Sequence, residues 1–202
     1  NINKLYLLNK QNIEEIFVST NILSGTEIIN FTNLKILKCY RNRIFESIHI
    51  NSFKFLTYLN IGWNSNLRDE AIYDLPLETL ILSYNNFISD KSIKTLKKLR
   101  VLHLCRNKII SDESVSTLIK LKELNTGYNN ILTNKCLINL LDLEVLVCNT
   151  NFTDEGVCNL KKLHTLELRY NKHITINCIK EIKNLCYIEY SIYNDLFEYL
   201  TP

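Results

Sequence analysis

The sequence predicts an α/β solenoid, a stack of short parallel strands on one side with short helices on the other. Three observations predict it. A Leu/Ile pattern recurs about every 22 residues along most of the 202-residue chain. An Asn recurs at one fixed point of that pattern. Between successive Asn residues lies a Ser/Thr–Asp/Asn pair followed by apolar residues three or four apart. Self-similarity at such a period means one small unit repeated, each too small to bury its own apolar face and so stacked on its neighbours.

The clearest copies are LETLILSYNNFISDKSIKTLKK from Leu77, LRVLHLCRNKIISDESVSTLIK from Leu99 and LKELNTGYNNILTNKCLINLLD from Leu121. The same frame opens at Ile13, Leu34, Leu56, Leu143, Leu163 and Leu185, giving about nine repeats. Counting from the opening residue, position 4 reads Ile16, Leu37, Leu59, Leu80, Leu102, Leu124, Leu146, Leu166 and Ile188. Position 6 reads Val18, Cys39, Ile61, Leu82, Leu104, Thr126, Cys148, Leu168 and Tyr190. Alternation of these with polar neighbours is the period of a strand with one buried face.

Position 9 is Asn in eight copies: Asn21, Asn42, Asn64, Asn85, Asn107, Asn129, Asn151 and Asn171; Tyr193 breaks the column. A buried carboxamide at the strand exit can satisfy backbone groups of neighbouring turns, so a ladder of Asn residues is expected. Next come ISDKSIKTL from Ile88, ISDESVSTL from Ile110, LTNKCLINL from Leu132 and FTDEGVCNL from Phe152. Ser89, Ser111, Thr133 and Thr153 stand where helix N-caps belong, with acids in the first turn. The pairs Ile93/Leu96, Val115/Leu118, Leu137/Leu140 and Val157/Leu160 then face the core. Strands therefore line the concave side and helices the convex side.

Residues 1–12 hold no complete repeat and read as an N-terminal cap or truncated repeat, 13–193 as the array, and 194–202 as a C-terminal cap. The sequence opens on Asn1 and holds no Met, which reads as a processed or trimmed chain. The copy from Leu143 is two residues short, which predicts a tightened convex side near residues 152–156.

Net charge is +3, small for a nucleic-acid or membrane-surface binder. No apolar run approaches the roughly 18 residues of a membrane span. The seven Cys, odd in number and without short spacings, read as reduced thiols and favour a cytoplasmic or nuclear location. Cys39 and Cys148 fill core positions, and Cys136 and Cys178 share one convex-side position. The sequons at Asn30 and Asn151 are expected by chance in so Asn-rich a chain, and Asn151 should be buried in the ladder.

The LxxLxLxxN pattern with its Ile-Ser/Thr-Asp helix start resembles the leucine-rich-repeat family over about residues 13–193. The resemblance implies a curved horseshoe with a parallel β-sheet on its concave face and short helices on its convex face. The helix start is similar to the cysteine-containing subtype of F-box substrate receptors. The repeats here are shorter, and position 9 is Asn where that subtype often has Cys.

In that architecture, positions 3, 5, 7 and 8 face the concave surface. The candidate partner-binding residues there are Lys38, Tyr40, Arg41, Tyr58, Trp63, Tyr84, His103, Arg106, Tyr128, Glu167, Arg169 and Tyr170. Trp, Tyr and Arg dominate protein interface hot spots, and these have no core role; the competing reading is that they merely cover the sheet. Cations lie mainly in the earlier repeats and acids, among them Glu123, Glu167 and Glu189, in the later ones. The sequence carries no phosphate-binding glycine loop. His103 and Cys105 share one strand side, but neighbouring position-5 residues Ile81 and Asn125 supply no carboxylate to orient the His.

No catalytic residue, metal site, cofactor, small-molecule substrate, nucleic acid or membrane partner is therefore expected. The sequence reads as a non-enzymatic protein-interaction module or scaffold binding a protein through its concave face. The alternatives are a structural subunit of a larger assembly, or the substrate-recognition part of an F-box-type ubiquitin ligase.

Overall fold

The alternating apolar triplets do form strands. In the computed structural model, which describes residues 10–18, 25–42, 45–64, 66–169 and 171–190, nine three-residue strands build one parallel sheet in chain order. They are β1 (Glu15–Phe17), β2 (Ile36–Lys38), β3 (Tyr58–Asn60), β4 (Thr79–Ile81), β5 (Val101–His103), β6 (Glu123–Asn125), β7 (Val145–Val147), β8 (Thr165–Glu167) and β9 (Tyr187–Glu189). Register follows the repeat frame, with Leu59 beside Leu80, Leu80 beside Leu102 and Leu102 beside Leu124. In β2–β6 and β8 the central residue is buried and its two neighbours are half-buried. Residues 1–9 of the expected 1–12 cap and the whole expected cap at 194–202, together with Asn21 and Tyr170, lie outside the described residues.

Short helical segments return the chain along the opposite side. These are α1 (Gly25–Ile28), α2 (Ser47–Asn51), α3 (Asp90–Ile93), α4 (Asp112–Val115), α5 (Asp154–Val157) and α6 (Ile176–Glu181), with 3-10 turns at Asp69–Ala71 and Asn134–Leu137. The predicted pairs Ile93/Leu96, Val115/Leu118, Leu137/Leu140 and Val157/Leu160 are all buried against the strand leucines. Thr126, the polar residue in the position-6 column, is buried and donates its hydroxyl to the Val147 carbonyl at 2.8 Å. That bond removes the penalty of an unpaired core hydroxyl.

Two side-chain ladders tie the repeats together. In the first, buried Asn85, Asn107, Asn129 and Asn171 each accept through Oδ1 from the backbone N–H groups two and three residues on. Asn107 and Asn171 donate Nδ2 back to the carbonyls of Asn85 and Asn149. In the copy from Leu143 the rung is Asn149, not Asn151. Asn149 is 1% exposed and accepts from Asn151 N and Phe152 N, while Asn151 is half-buried and donates to Asn130 O and Leu132 O.

The two missing residues therefore come from the turn after β7, not from the helix side. The expected tightening at residues 152–156 is corrected accordingly: α5 is four residues long, as α3 and α4 are.

The second ladder runs along the helices. Asp90 accepts from the backbone N–H and the hydroxyl of Ser111 and from the Ser114 hydroxyl. Asp69 does the same for Ser89 and Ser92, and Asp112 and Asp154 receive Thr133 and Thr175. The N-cap hydroxyls of Ser89, Ser111 and Thr133 also accept from N–H groups two residues on, as predicted. Thr153 does not cap in this way, because its hydroxyl accepts from Asn134 Nδ2 at 2.7 Å instead.

The expectation of seven reduced thiols is also corrected. Cys158, just after α5, and Cys178, within α6, are joined as a disulfide across adjacent repeats. One repeat length separates them in sequence, so stacking alone brings them together. Among the described residues no helix is long and apolar enough to cross a membrane.

Candidate functional site

The candidate residues divide into three groups on the sheet face and its edge. The largest is a ridge one residue wide, built at position 8, where the chain leaves each strand. Arg41, Trp63, Tyr84, Arg106 and Tyr128 have φ of 54, 60, 60, 54 and 56°, the left-handed region that costs a non-glycine residue about 1–2 kcal/mol. The conformation is held by the neighbouring repeat: the N–H groups of Arg41, Trp63, Tyr84 and Arg106 donate to the position-7 carbonyls of Gly62, Ser83, Cys105 and Gly127 at 2.9–3.1 Å. Left-handed turns favour Gly or Asn, and nothing in the side chains at position 8 signalled one.

That backbone aims each side chain along the stack. Trp63 lies on Tyr84 with ring centroids 3.7 Å apart and planes 21° apart. The Arg41 guanidinium carbon sits 4.8 Å from the Trp63 ring and 5.1 Å from the Tyr40 ring. Arg106 sits between Tyr84 and Tyr128, at 5.3 and 4.6 Å. All four distances are within cation–π range. Tyr40 meets Trp63 edge-on at 6.5 Å. Tyr40, Trp63 and Tyr128 remain 38, 39 and 43% exposed. The aromatics thus cover one another and still face solvent along their outer edges. In the next repeat the ridge stops, because the two residues missing after β7 are the ones that would occupy positions 7 and 8.

The second group lies on the strands. Lys38 holds its ammonium 4.5 Å from the Phe17 ring and 5.1 Å from the Tyr58 ring, and partial burial raises the Tyr58 phenol. The third is acidic and lies in the later repeats. Arg169 pairs with Glu167 at 2.6 Å and with Glu189 at 3.8 Å. Glu189 accepts from Tyr187 and raises its phenol by charge repulsion. This group is separate from the ridge, and Tyr170 lies outside the described residues.

His103 does have a carboxylate, contrary to expectation. Glu123 Oε1 stands 2.6 Å from His103 Nε2, reaching diagonally from position 3 of the following strand, a row that comparison of position 5 alone overlooked. Cys105 nevertheless lacks the signature of an activated nucleophile: burial raises its thiol, outweighing the lowering by Arg106 and Arg169. On the helix side, ligand atoms of Asp154, Cys158 and Cys178 converge within 4.8 Å. Both Asp154 oxygens accept from Thr175 and the two sulfurs are joined to each other, so their bonding capacity is already engaged.

An open parallel sheet of one-strand repeats with an Asn ladder and short helices defines a leucine-rich-repeat protein. The Leucine Rich repeat family profile matches residues 73–97. Among solved structures, the chain is 28% identical to an internalin (inlF) of Listeria monocytogenes, with a TM-score of 0.68 over 86% of this chain and 52% of that one. Internalin C2 of the same organism matches at 23% identity and a TM-score of 0.72, over 90% and 82%. Rad7, in the yeast Rad7–Elc1 complex, matches at 20% identity and a TM-score of 0.75, over 93% and 58%. The chain thus spans about half the length of the inlF chain. No curated protein sequence matches it.

Proposed function

We propose that the protein is a non-enzymatic binding module that holds a partner protein against the sheet face and the ridge at its edge. The observation that carries this reading is the continuous row Arg41–Trp63–Tyr84–Arg106–Tyr128. Five repeats place a bulky aromatic or Arg where a relaxed turn favours Gly or Asn, and leave much of it in solvent. Strain retained at exposed hot-spot residue types points to function. The raised thiol of Cys105 and the engaged Asp154 group favour binding over catalysis. Rad7 was solved in complex with Elc1, which agrees with a protein partner for this fold.

Affinity capture from native extract with the wild type and with Trp63→Ala and Arg106→Gln variants tests the reading. The captured species should fall away with both variants while far-UV circular dichroism stays unchanged. Unchanged capture by both folded variants would sink it.

A second reading, a structural subunit docked by its helices, is favoured by Ile48, Ile119, Ile138 and Leu141, which are 58–73% exposed. Under it, Ile119→Ser and Ile138→Ser abolish capture and the ridge variants do not.

A further inference from the structure

We infer that the segment of the partner lying on the ridge is acidic and extended; this rests on the protein-binding reading above and goes on to name the chemistry of the occupant.

Charge is the first argument. Residues 40–42, 62–64, 83–86, 105–108 and 127–130, which make up the ridge and its flank, contain no Asp or Glu and carry Arg41, Arg106 and Lys108. Among the described residues, these three and Lys38 form no ion pair. Arg41 and Arg106 are held against ring faces. A guanidinium stacked on a ring keeps its N–H edge free, in the fork geometry that a carboxylate accepts.

Shape is the second. The row crosses five repeats at strand spacing, about 19 Å from Arg41 to Tyr128, which an extended chain covers with about six residues. Its width is a single side chain. Beyond the missing turn the charge reverses, with Glu167 and Glu189 gathered around Arg169, so an acidic segment is favoured up to the sixth repeat and repelled past it.

The ring geometry separates a peptide from a polynucleotide. Bases stack on open aromatic faces. Here the faces are already engaged: Trp63 against Tyr84, Tyr84 beneath Arg106, and Arg41 over Trp63. Trp63 and Tyr84, at the middle of the row, therefore present ring edges and not open faces.

Trp63 is the sole tryptophan of the chain, so its emission reports directly on the ridge. The wild type is titrated with decamers of Glu, of Lys and of alternating Gly-Ser, and with an oligothymidylate of ten nucleotides. The Glu decamer should shift Trp63 emission saturably, with affinity falling as salt rises. Arg41→Gln and Arg106→Gln should each weaken it about fivefold, and the helix-side control Lys97→Gln should leave it unchanged. An equal response to the Lys decamer, tighter binding of the oligonucleotide, or no response to any probe overturns the inference. Should the Glu decamer fail while capture of a protein remains sensitive to Trp63→Ala, the binding reading stands and only the acidic occupant falls. Failure of both removes both.

Discussion

The α-carbon of Gly156 packs against the Asn134 carboxamide so closely that a β-carbon there would overlap Oδ1 and lie 2.7 Å from Cγ. Asn134 is pinned in turn by Thr153, whose N–H it accepts and whose hydroxyl it donates to. The usual gain of about 1 kcal/mol for Gly→Ala in a helix should therefore reverse. Gly156→Ala is expected to destabilise by about 1–3 kcal/mol, and to lose less when Asn134→Ala is present as well. Urea unfolding of the four members of that double-mutant cycle measures the coupling; independent, additive effects would contradict the packing.

The short repeat gives a sharper test of register. Asn149 is buried and accepts two N–H groups, whereas half-buried Asn151 only donates. Removing the Asn149 carboxamide leaves Asn151 N and Phe152 N without their acceptor, while the Leu132 carbonyl keeps the Asn151 Nδ2 donor. Asn149→Ala should cost about 2–4 kcal/mol and Asn151→Ala about 1 kcal/mol. The reverse order in urea unfolding would restore Asn151 to the ladder.

The difference between these two Asn residues marks how far the sequence was legible. Strand leucines, helix-side pairs and most Asn rungs follow from period alone, because one buried face per element leaves one register. Counting from the front of the repeat misplaced the rung in the copy from Leu143, since a deletion shifts everything behind it. Counting back from Phe152, which aligns with Leu132, would have found Asn149. The Asp ladder was read as helix-dipole charge because its acceptors belong to the next repeat, about 20 residues away. The candidate residues Arg41, Trp63, Tyr84, Arg106 and Tyr128 were legible as a row by composition. Their left-handed backbone was not, since side chains of this kind do not favour it. The carboxylate of Glu123 was missed because it approaches His103 diagonally.

That backbone makes Arg106 a place where side-chain branching, not polarity, decides stability. At φ of 54° a β-branched residue meets the worst steric conflict and Asn one of the mildest. Arg106→Asn forfeits the cation–π contacts, about 0.5–1 kcal/mol at an exposed site, and recovers a similar amount of strain. It should be near neutral, while Arg106→Val should cost about 2 kcal/mol. Thermal unfolding of both variants tests this; equal stability would mean the turn relaxes out of the left-handed region.

The thiols can be counted by alkylation, and the count bears on where the protein resides. Cys39, Cys105, Cys136, Cys148 and Cys186 are free, and among them Cys186 is exposed. Burial raises the thiols of Cys39, Cys136 and Cys148, so little thiolate is available there to react. Iodoacetamide should therefore label native protein first at Cys186. After denaturation without reductant it should add five groups, one for each free cysteine, and after reduction all seven. Five before and seven after would mean that Cys158 and Cys178 are joined in the isolated protein, which fits an oxidising compartment. Seven in both cases would leave the stacked pair reduced and return the argument from thiols to a cytoplasmic or nuclear location.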